Sequence, residues 1–343
     1  MTSTAPESGL DLGLLPWQQD AWRAWQERIS SEQTPHAVLI HGPEGIGKSQ
    51  FAHEMIRAQV CTQPTAEGLA CGQCHGCRML AAGAHTDVTT LRPEEGKKNI
   101  RIEPIRQLTE FMSLSTSHAP RRIAMIWPAD AMNLNAANAL LKTLEEPPGP
   151  ALMVLVTAHP ARLPATIRSR CQMLRLPRPE RAQAKQWLLE QGSTHDSDLL
   201  LALAQGSPLR ALQYEGGDEL KHWHQQKQAL LAFLSGKKGL SGMASTYPIA
   251  AAGVWLSAIQ LFFLDALRLA MSDDSGALSG IATQAETVQL LGLFDIEALS
   301  ELQIKIMEFR RLLGGNLNPD LFVEDLLLNL RDCTMAALAK ASA

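Results

Sequence analysis

The chain has 343 residues, 45% of them hydrophobic and 19% charged, and a formal net charge of −4. That length is too great for one small core and predicts two or three domains, while the composition is ordinary for a soluble globular protein. Residues 1–177 hold 17 Lys/Arg against 16 Asp/Glu, and from the chain totals of 31 and 35 the remainder holds 14 against 19; neither part has the polybasic balance of an autonomous nucleic-acid binder.

At the start, Met1-Thr2-Ser3-Thr4-Ala5-Pro6-Glu7 has neither a basic head nor an apolar core, so no signal peptide is expected. No apolar run approaches the ~18–20 residues of a membrane span, and the expected compartment is the cytoplasm. Pro16 to Ile29 reads as a helix with Trp22 and Trp25 three residues apart on one face, placed in the core and not against a nucleotide. The apolar run Ala37-Val38-Leu39-Ile40 then leads into Gly42-Pro43-Glu44-Gly45-Ile46-Gly47-Lys48-Ser49, and a helical segment follows from Gln50 to Met55. Strand, glycine-rich turn and helix are the context that a phosphate-binding loop requires. Backbone N–H groups freed by Gly42, Gly45 and Gly47 would wrap phosphates at a helix N-terminus. Lys48 would reach the β- and γ-phosphates, and the Ser49 hydroxyl would ligate Mg²⁺.

Four of the six cysteines cluster as Cys61, Cys71, Cys74 and Cys77, the last three separated by two-residue spacers containing Gly72 and Gly76. Four thiolates match a closed tetrahedral zinc site, with His75 a spare donor. An iron–sulfur cluster and reduced bystander thiols are the alternatives. A closed four-thiolate site leaves no open coordination position, which argues against a zinc-dependent hydrolase. Cys171 and Cys333 stand apart and are expected to be buried, incidental thiols.

Further strands are predicted over 87–91, 122–127, 152–157 and 172–176, alternating with helical patterns as in a parallel α/β sheet. A hydrolytic site needs carboxylates at the end of the strand beside the phosphate loop. Here the run Arg122-Ile123-Ala124-Met125-Ile126 ends in Trp127-Pro128, and Asp130 comes two or three residues late. Asp130 is expected to start a helix; serving as a late metal ligand is the alternative. Asn138-Ala139-Leu140-Leu141-Lys142-Thr143-Leu144-Glu145-Glu146-Pro147-Pro148 follows, with Ala139, Leu140 and Leu144 forming an apolar face and the double proline ending the helix. Lys142, Glu145 and Glu146 face away from that stripe and are expected to be free. In Pro164-Ala165-Thr166-Ile167-Arg168-Ser169-Arg170-Cys171, an arginine at a domain edge could stabilise phosphoryl charge on a neighbour. A surface salt bridge is the simpler reading of the same residues.

After the break at Pro177-Arg178-Pro179 the pattern is helical to the end. Segments are predicted over 180–191, 198–204, 209–212, 220–234, 249–271, 286–293, 296–313 and 319–339, with a hinge at Gly216-Gly217 and polar loops at 236–239 and 272–276.

In this order, the phosphate loop, cysteine cluster, Asn138–Pro148 run, Ser169-Arg170-Cys171 and helical C-terminus resemble bacterial clamp-loader ATPases of the AAA+ class, most closely the delta-prime subunits of DNA polymerase III holoenzymes. The resemblance covers residues 15–335. It implies an α/β AAA+ P-loop domain over 1–177 carrying a zinc module at about 61–77, a small helical lid over 178–216, and an all-α collar over 217–343. It implies a hetero-pentamer with motor and delta subunits that opens a ring-shaped sliding clamp and places it on primed DNA. The implied role is a stator, which binds ATP without hydrolysing it; an ATP-hydrolysing motor subunit is the alternative. Carried over by residue, the resemblance makes Cys61, Cys71, Cys74 and Cys77 zinc ligands and Arg170 an arginine finger acting in trans. It places Arg210 at the second sensor position, beside nucleotide held by Gly42, Gly45, Gly47, Lys48 and Ser49.

Overall fold

The computed structural model describes residues 13–31, 33–240, 243–247, 252–272, 278–312 and 318–341. The Met1–Glu7 stretch, the expected helix start at Ile249, most of the 272–276 loop and Leu313 lie outside the described residues. The chain divides into two compact units, Met1–Pro179 and Glu180–Ala343.

In the first unit, β1 (Ala37–His41), β2 (Val88–Leu91), β3 (Arg122–Ile126), β4 (Ala151–Thr157) and β5 (Gln172–Arg175) form one parallel sheet in the order β2-β3-β4-β1-β5. All five strands fall within a residue of the sequence expectation. β1, β3 and β4 are covered on both faces, which is why they read as continuous apolar runs and not as alternations. The helices are α1 (Gln19–Ser30), α2 (Lys48–Val60), α3 (His75–Ala81), α4 (Ile102–Ser113), α5 (Leu134–Glu145) and the single turn α6 (Ala165–Arg168).

Strand alternation deals residues to two cores. Ala37, Leu39, Ala124 and Met153 pack with Ile105, Leu108 and Met112 of α4 and Leu140 and Leu144 of α5. Val38, Ile40, Met125 and Val154 pack with Trp22 and Trp25 of α1 and Phe51 and Met55 of α2. The tryptophans are therefore core residues, and Trp22 stands edge-on to Phe51 at 5.8 Å between ring centroids.

Two expectations are corrected. The strand directly beside β1 is β4, in register from Ala37↔Met153 to His41↔Thr157, and β3 lies one strand further out. Asp130 does not start a helix: it sits in a 3-10 turn, Ala129–Ala131, and the α5 cap is Asn133, whose side chain accepts a bond from the Ala136 N–H at 2.9 Å. Asn133 wins because its oxygen reaches a first-turn amide that would otherwise be unsatisfied.

The second unit is helical throughout its described residues: α7 (Arg181–Glu190), α8 (Ser197–Leu203), α9 (Pro208–Glu215), α10 (Glu219–Leu234), α11 (Met243–Thr246), α12 (Ala252–Met271), α13 (Gln284–Leu291), α14 (Ile296–Leu312) and α15 (Pro319–Ala341). α12 departs from the expectation that no segment could span a membrane, since its 20 residues are long and apolar enough. Half of that stretch is buried within the unit, where α12 packs on α13 and α14 and carries the buried Asp265. It is the central helix of a bundle, and its apolarity follows from being surrounded.

Candidate nucleotide site, exposed arginine and cysteine cluster

The sheet brings the candidate nucleotide residues to the C-terminal ends of its strands, the edge where open parallel sheets place ligands. Gly42 follows β1. A Cβ there would stand 2.3 Å from the Leu176 carbonyl oxygen, so no larger residue lets the chain turn so tightly against the strand end. Gly47 caps α2 in a left-handed conformation, φ 82°, and no side chain caps that helix N-terminus. The loop is braced by the start of the Pro16–Ile29 segment, a contact that its helical pattern did not announce. Gln18 Nε2 donates to the carbonyl oxygens of Ile46 at 3.0 Å and Gly47 at 2.8 Å, and Trp17 Nε1 donates to Ile46 at 2.9 Å. Leu15 presses on Gly47 so closely that a Cβ would meet its Cδ1 at 2.3 Å.

Lys48 is 2% exposed, and its ammonium donates to the Pro43 carbonyl at 2.6 Å; Ser49 donates to Gln50 Oε1 at 3.2 Å. A left-handed glycine, an uncapped helix start and a lysine folded over the loop make a cradle that fits a polyphosphate. Gly42, Gly45, Gly47, Lys48 and Ser49 are the residues that would hold it, and bound Mg²⁺ would supply charge neutralisation there.

The carboxylate side of the site is sparse. β3 runs into Trp127, and Asp130 follows: it accepts a 2.5 Å bond from Thr157 Oγ1 at the end of β4, in register with His41 of β1, and Arg162 lies 3.8 Å from its other oxygen. Glu44, on the loop itself, pairs with His159 at 3.5 Å. His41, the last residue of β1, has its pKa lowered by burial and then by the nearby Arg175. Thr157 and His159 were not expected at this edge of the sheet. The signal was a polar residue closing the fully apolar run of β4 and a histidine two positions later.

Arg170 follows the α6 turn. Its Nη1 donates to the Thr166 carbonyl at 3.0 Å, and its Nη2 lies 2.6 Å from Glu145 Oε1 at the last residue of α5. Lys142, Glu145 and Glu146 are all exposed as expected, but Glu145 is not free, because the α5–α6 junction sets it against Arg170. Arg210 lies in the first turns of α9 in the second unit, half-buried.

The four cysteines converge: one sulfur from each of Cys61, Cys71, Cys74 and Cys77 lies within 4.8 Å of the others. Tetrahedral zinc with Zn–S bonds of about 2.3 Å needs sulfurs about 3.8 Å apart, and Cys61 and Cys74 stand at 3.9 Å. Cys61 follows α2 directly, Cys74 caps α3, and Cys77 lies in its first turn. Gly76 permits this. A Cβ on it would meet the Val60 carbonyl at 2.3 Å, so only glycine lets α3 lie on the end of α2. The amides of Gln63 and Cys71 point at Cys61 Sγ (3.4 and 3.3 Å), and those of Gln73 and Cys74 at Cys71 Sγ (3.4 and 3.3 Å).

Such donors favour the thiolate, the form that binds metal. The amides of Gln73 and Cys74 lower the Cys71 pKa, and those of Cys77 and Thr62 bring Cys74 down to about 5. Burial pushes Cys77 up to about 12, a penalty that a dication among the thiolates would offset. The cluster can hold a metal ion. Cys171 and Cys333 are buried, as expected.

Beside the cluster, Asp87 organises the turn into β3. Its carboxylate accepts the amides of Ser117, His118 and Ala119 at 2.9, 2.6 and 2.8 Å, and Arg122 lies 3.3 Å away. Burial alone would raise this carboxyl, but those donors and Arg122 hold it below the usual range.

The chain is similar to known proteins along most of its length. The family model described as DNA polymerase III, delta subunit, matches residues 17–180. The Pseudomonas aeruginosa protein named DNA polymerase III subunit delta′ is 35% identical over 321 residues, covering 92% of this chain and 96% of that protein. The Escherichia coli subunit delta′ is 36% identical over 207 residues (59% of this chain, 61% of that one), and the Bacillus subtilis subunit delta′ is 31% identical over 211 (62% and 63%). The chain therefore spans less than two thirds of the latter two.

Proposed function

Because the chain belongs to the DNA polymerase III delta′ family, we propose that it works as the stator of a clamp loader: it assembles with motor and delta subunits, holds nucleotide without hydrolysing it, and lends Arg170 to a neighbouring ATP site. The single observation that carries this reading is the mismatch at the sheet edge. A complete phosphate cradle follows β1, while β3, separated from β1 by β4, runs into Trp127-Pro128, and Asp130 after it accepts from Thr157 and lies near Arg162. Phosphoryl transfer needs a metal-positioning carboxylate and an oriented water as well as a cradle. Without a carboxylate free for the metal, the site retains ATP, and the chain's contribution to catalysis passes through the Arg170 guanidinium.

Family membership and the cysteine cluster support the remaining roles. Residues 178–216 serve as the lid, with Arg210 its second sensor arginine, and 217–343 as the oligomerising collar. The four cysteines carry structural zinc. The complex loads a sliding clamp on primed DNA at the cytoplasmic replisome. Reconstitution with the partner subunits tests this: clamp loading that proceeds at full rate without this chain would overturn the assignment.

A further inference from the structure

Glu145 occupies the last residue of α5, the end where the helix carries partial negative charge. A carboxylate there is disfavoured, so helix energetics do not account for it. Its partner does. Arg170 is anchored at one end by the Thr166 carbonyl (3.0 Å) and offers the other end to Glu145 (2.6 Å). The side chains are 35% and 47% exposed, so an incoming anion can reach both. Glu146, the next residue, has the same charge and no ion pair among the described residues.

We infer that Glu145 is a positioning residue that parks Arg170 in the unassembled chain and is exchanged for the phosphoryl oxygens of a nucleoside triphosphate on the neighbouring subunit. This rests on the reading of Arg170 as a finger acting in trans. The exchange is favourable for a simple reason. An exposed carboxylate–guanidinium pair shifts an equilibrium by no more than about fivefold, whereas a polyphosphate offers several anionic oxygens in the planar fork geometry that arginine matches. The Thr166 contact keeps the guanidinium at the domain edge while the Glu145 end lets go.

The test is the ATPase of the reconstituted complex as a function of ATP concentration, with clamp and primed DNA present. Glu145→Gln lowers KM for ATP about two- to fivefold and leaves kcat unchanged, because the exchange precedes chemistry. Glu146→Gln, the same loss of charge one residue on, leaves KM unchanged, and in an Arg170→Ala background Glu145→Gln has no effect. An unchanged KM in Glu145→Gln, an equal shift in Glu146→Gln, or a shift that survives Arg170→Ala overturns the exchange. If Arg170→Ala alone leaves ATPase intact, the finger reading fails with it; if Arg170→Ala is defective while Glu145→Gln is inert, only the exchange fails. Unaltered thermal midpoints of the variant chains confirm that folding is not the cause.

Discussion

Arg170 and Glu145 meet at 2.6 Å across the junction of α6 and α5, joining the Asn138–Pro148 run to the Pro164–Cys171 run. The pair is exposed, so its net worth is small: side-chain entropy and screening offset most of the Coulomb attraction. A double-mutant cycle in the isolated chain, using Glu145→Gln and Arg170→Ala with urea denaturation, is expected to give a coupling below about 1 kcal/mol. A coupling of several kcal/mol would make the pair structural and leave Arg170 unavailable to a neighbour.

The cysteine cluster makes a sharper demand. Metal binding and folding are coupled when ligands come from separate elements, and here they come from the end of α2 and the start of α3. Cys74→Ser is expected to lose its metal equivalent and to lower the thermal midpoint. Gly76→Ala drives a Cβ to 2.3 Å from the Val60 carbonyl, so it is expected to cost about 1–3 kcal/mol and to weaken metal retention without removing a ligand. Metal analysis by plasma emission together with calorimetry checks both. A full metal equivalent in Cys74→Ser would refute the ligand set.

The sheet was legible because strands buried on both faces announce themselves as apolar runs, as 37–41 and 122–126 do. The phosphate loop and the cysteine cluster could be read because their chemistry fixes residue type and spacing; for Arg170 the residues themselves suggested a surface salt bridge, which it makes with Glu145, and the finger role came from the family resemblance alone. What escaped was long-range or polar. Gln18 touches the loop from 29 residues away, and nothing local marks a glutamine as a brace. Thr157 meets Asp130 only because β4 lies between β1 and β3. Glu145 read as a free surface charge because a helical pattern shows which face a residue takes, not what an adjoining turn sets against it. α3 and α4 were not anticipated either; α3 is seven residues long and formed around the cysteines, too short for a periodic signal.

Gln18 gives the third prediction. It is fully buried and donates to two loop carbonyls, so Gln18→Ala leaves both acceptors without this donor. A loss of about 1–3 kcal/mol is expected, together with weaker binding of a fluorescent ATP analogue, because the loop is no longer held in its cradle form. Lys48→Ala separates the two effects. It abolishes analogue binding through lost charge and leaves the Gln18 brace in place. Unchanged affinity in Gln18→Ala would show that the brace is irrelevant to the cradle.

Asp87 gives a pH signature. Its carboxyl is held below the usual range in the folded chain, so the folded state favours the ionised form more than the unfolded state does. The resulting stability is present above the unfolded pKa of about 4 and is lost as pH falls below it through the lowered folded value. Asp87→Asn leaves buried Arg122 without its charge partner, a loss of about 3–5 kcal/mol at neutral pH. The gap between wild type and variant is expected to close in acid, where the wild-type carboxyl is protonated too. A gap constant from pH 7 to pH 3 would show that the ion pair is not its source.

The central claim is that this chain cradles a triphosphate it cannot cleave and acts on ATP across a subunit boundary. Steady-state ATP hydrolysis, measured on the isolated chain and on the reconstituted loader carrying either wild-type or Arg170→Ala chain, tests it most directly. The account predicts negligible magnesium-dependent turnover by the chain alone, and in the complex a loss on the order of 10³-fold at the one site that Arg170 serves. Brisk turnover by the isolated chain, abolished by Lys48→Ala, would contradict it.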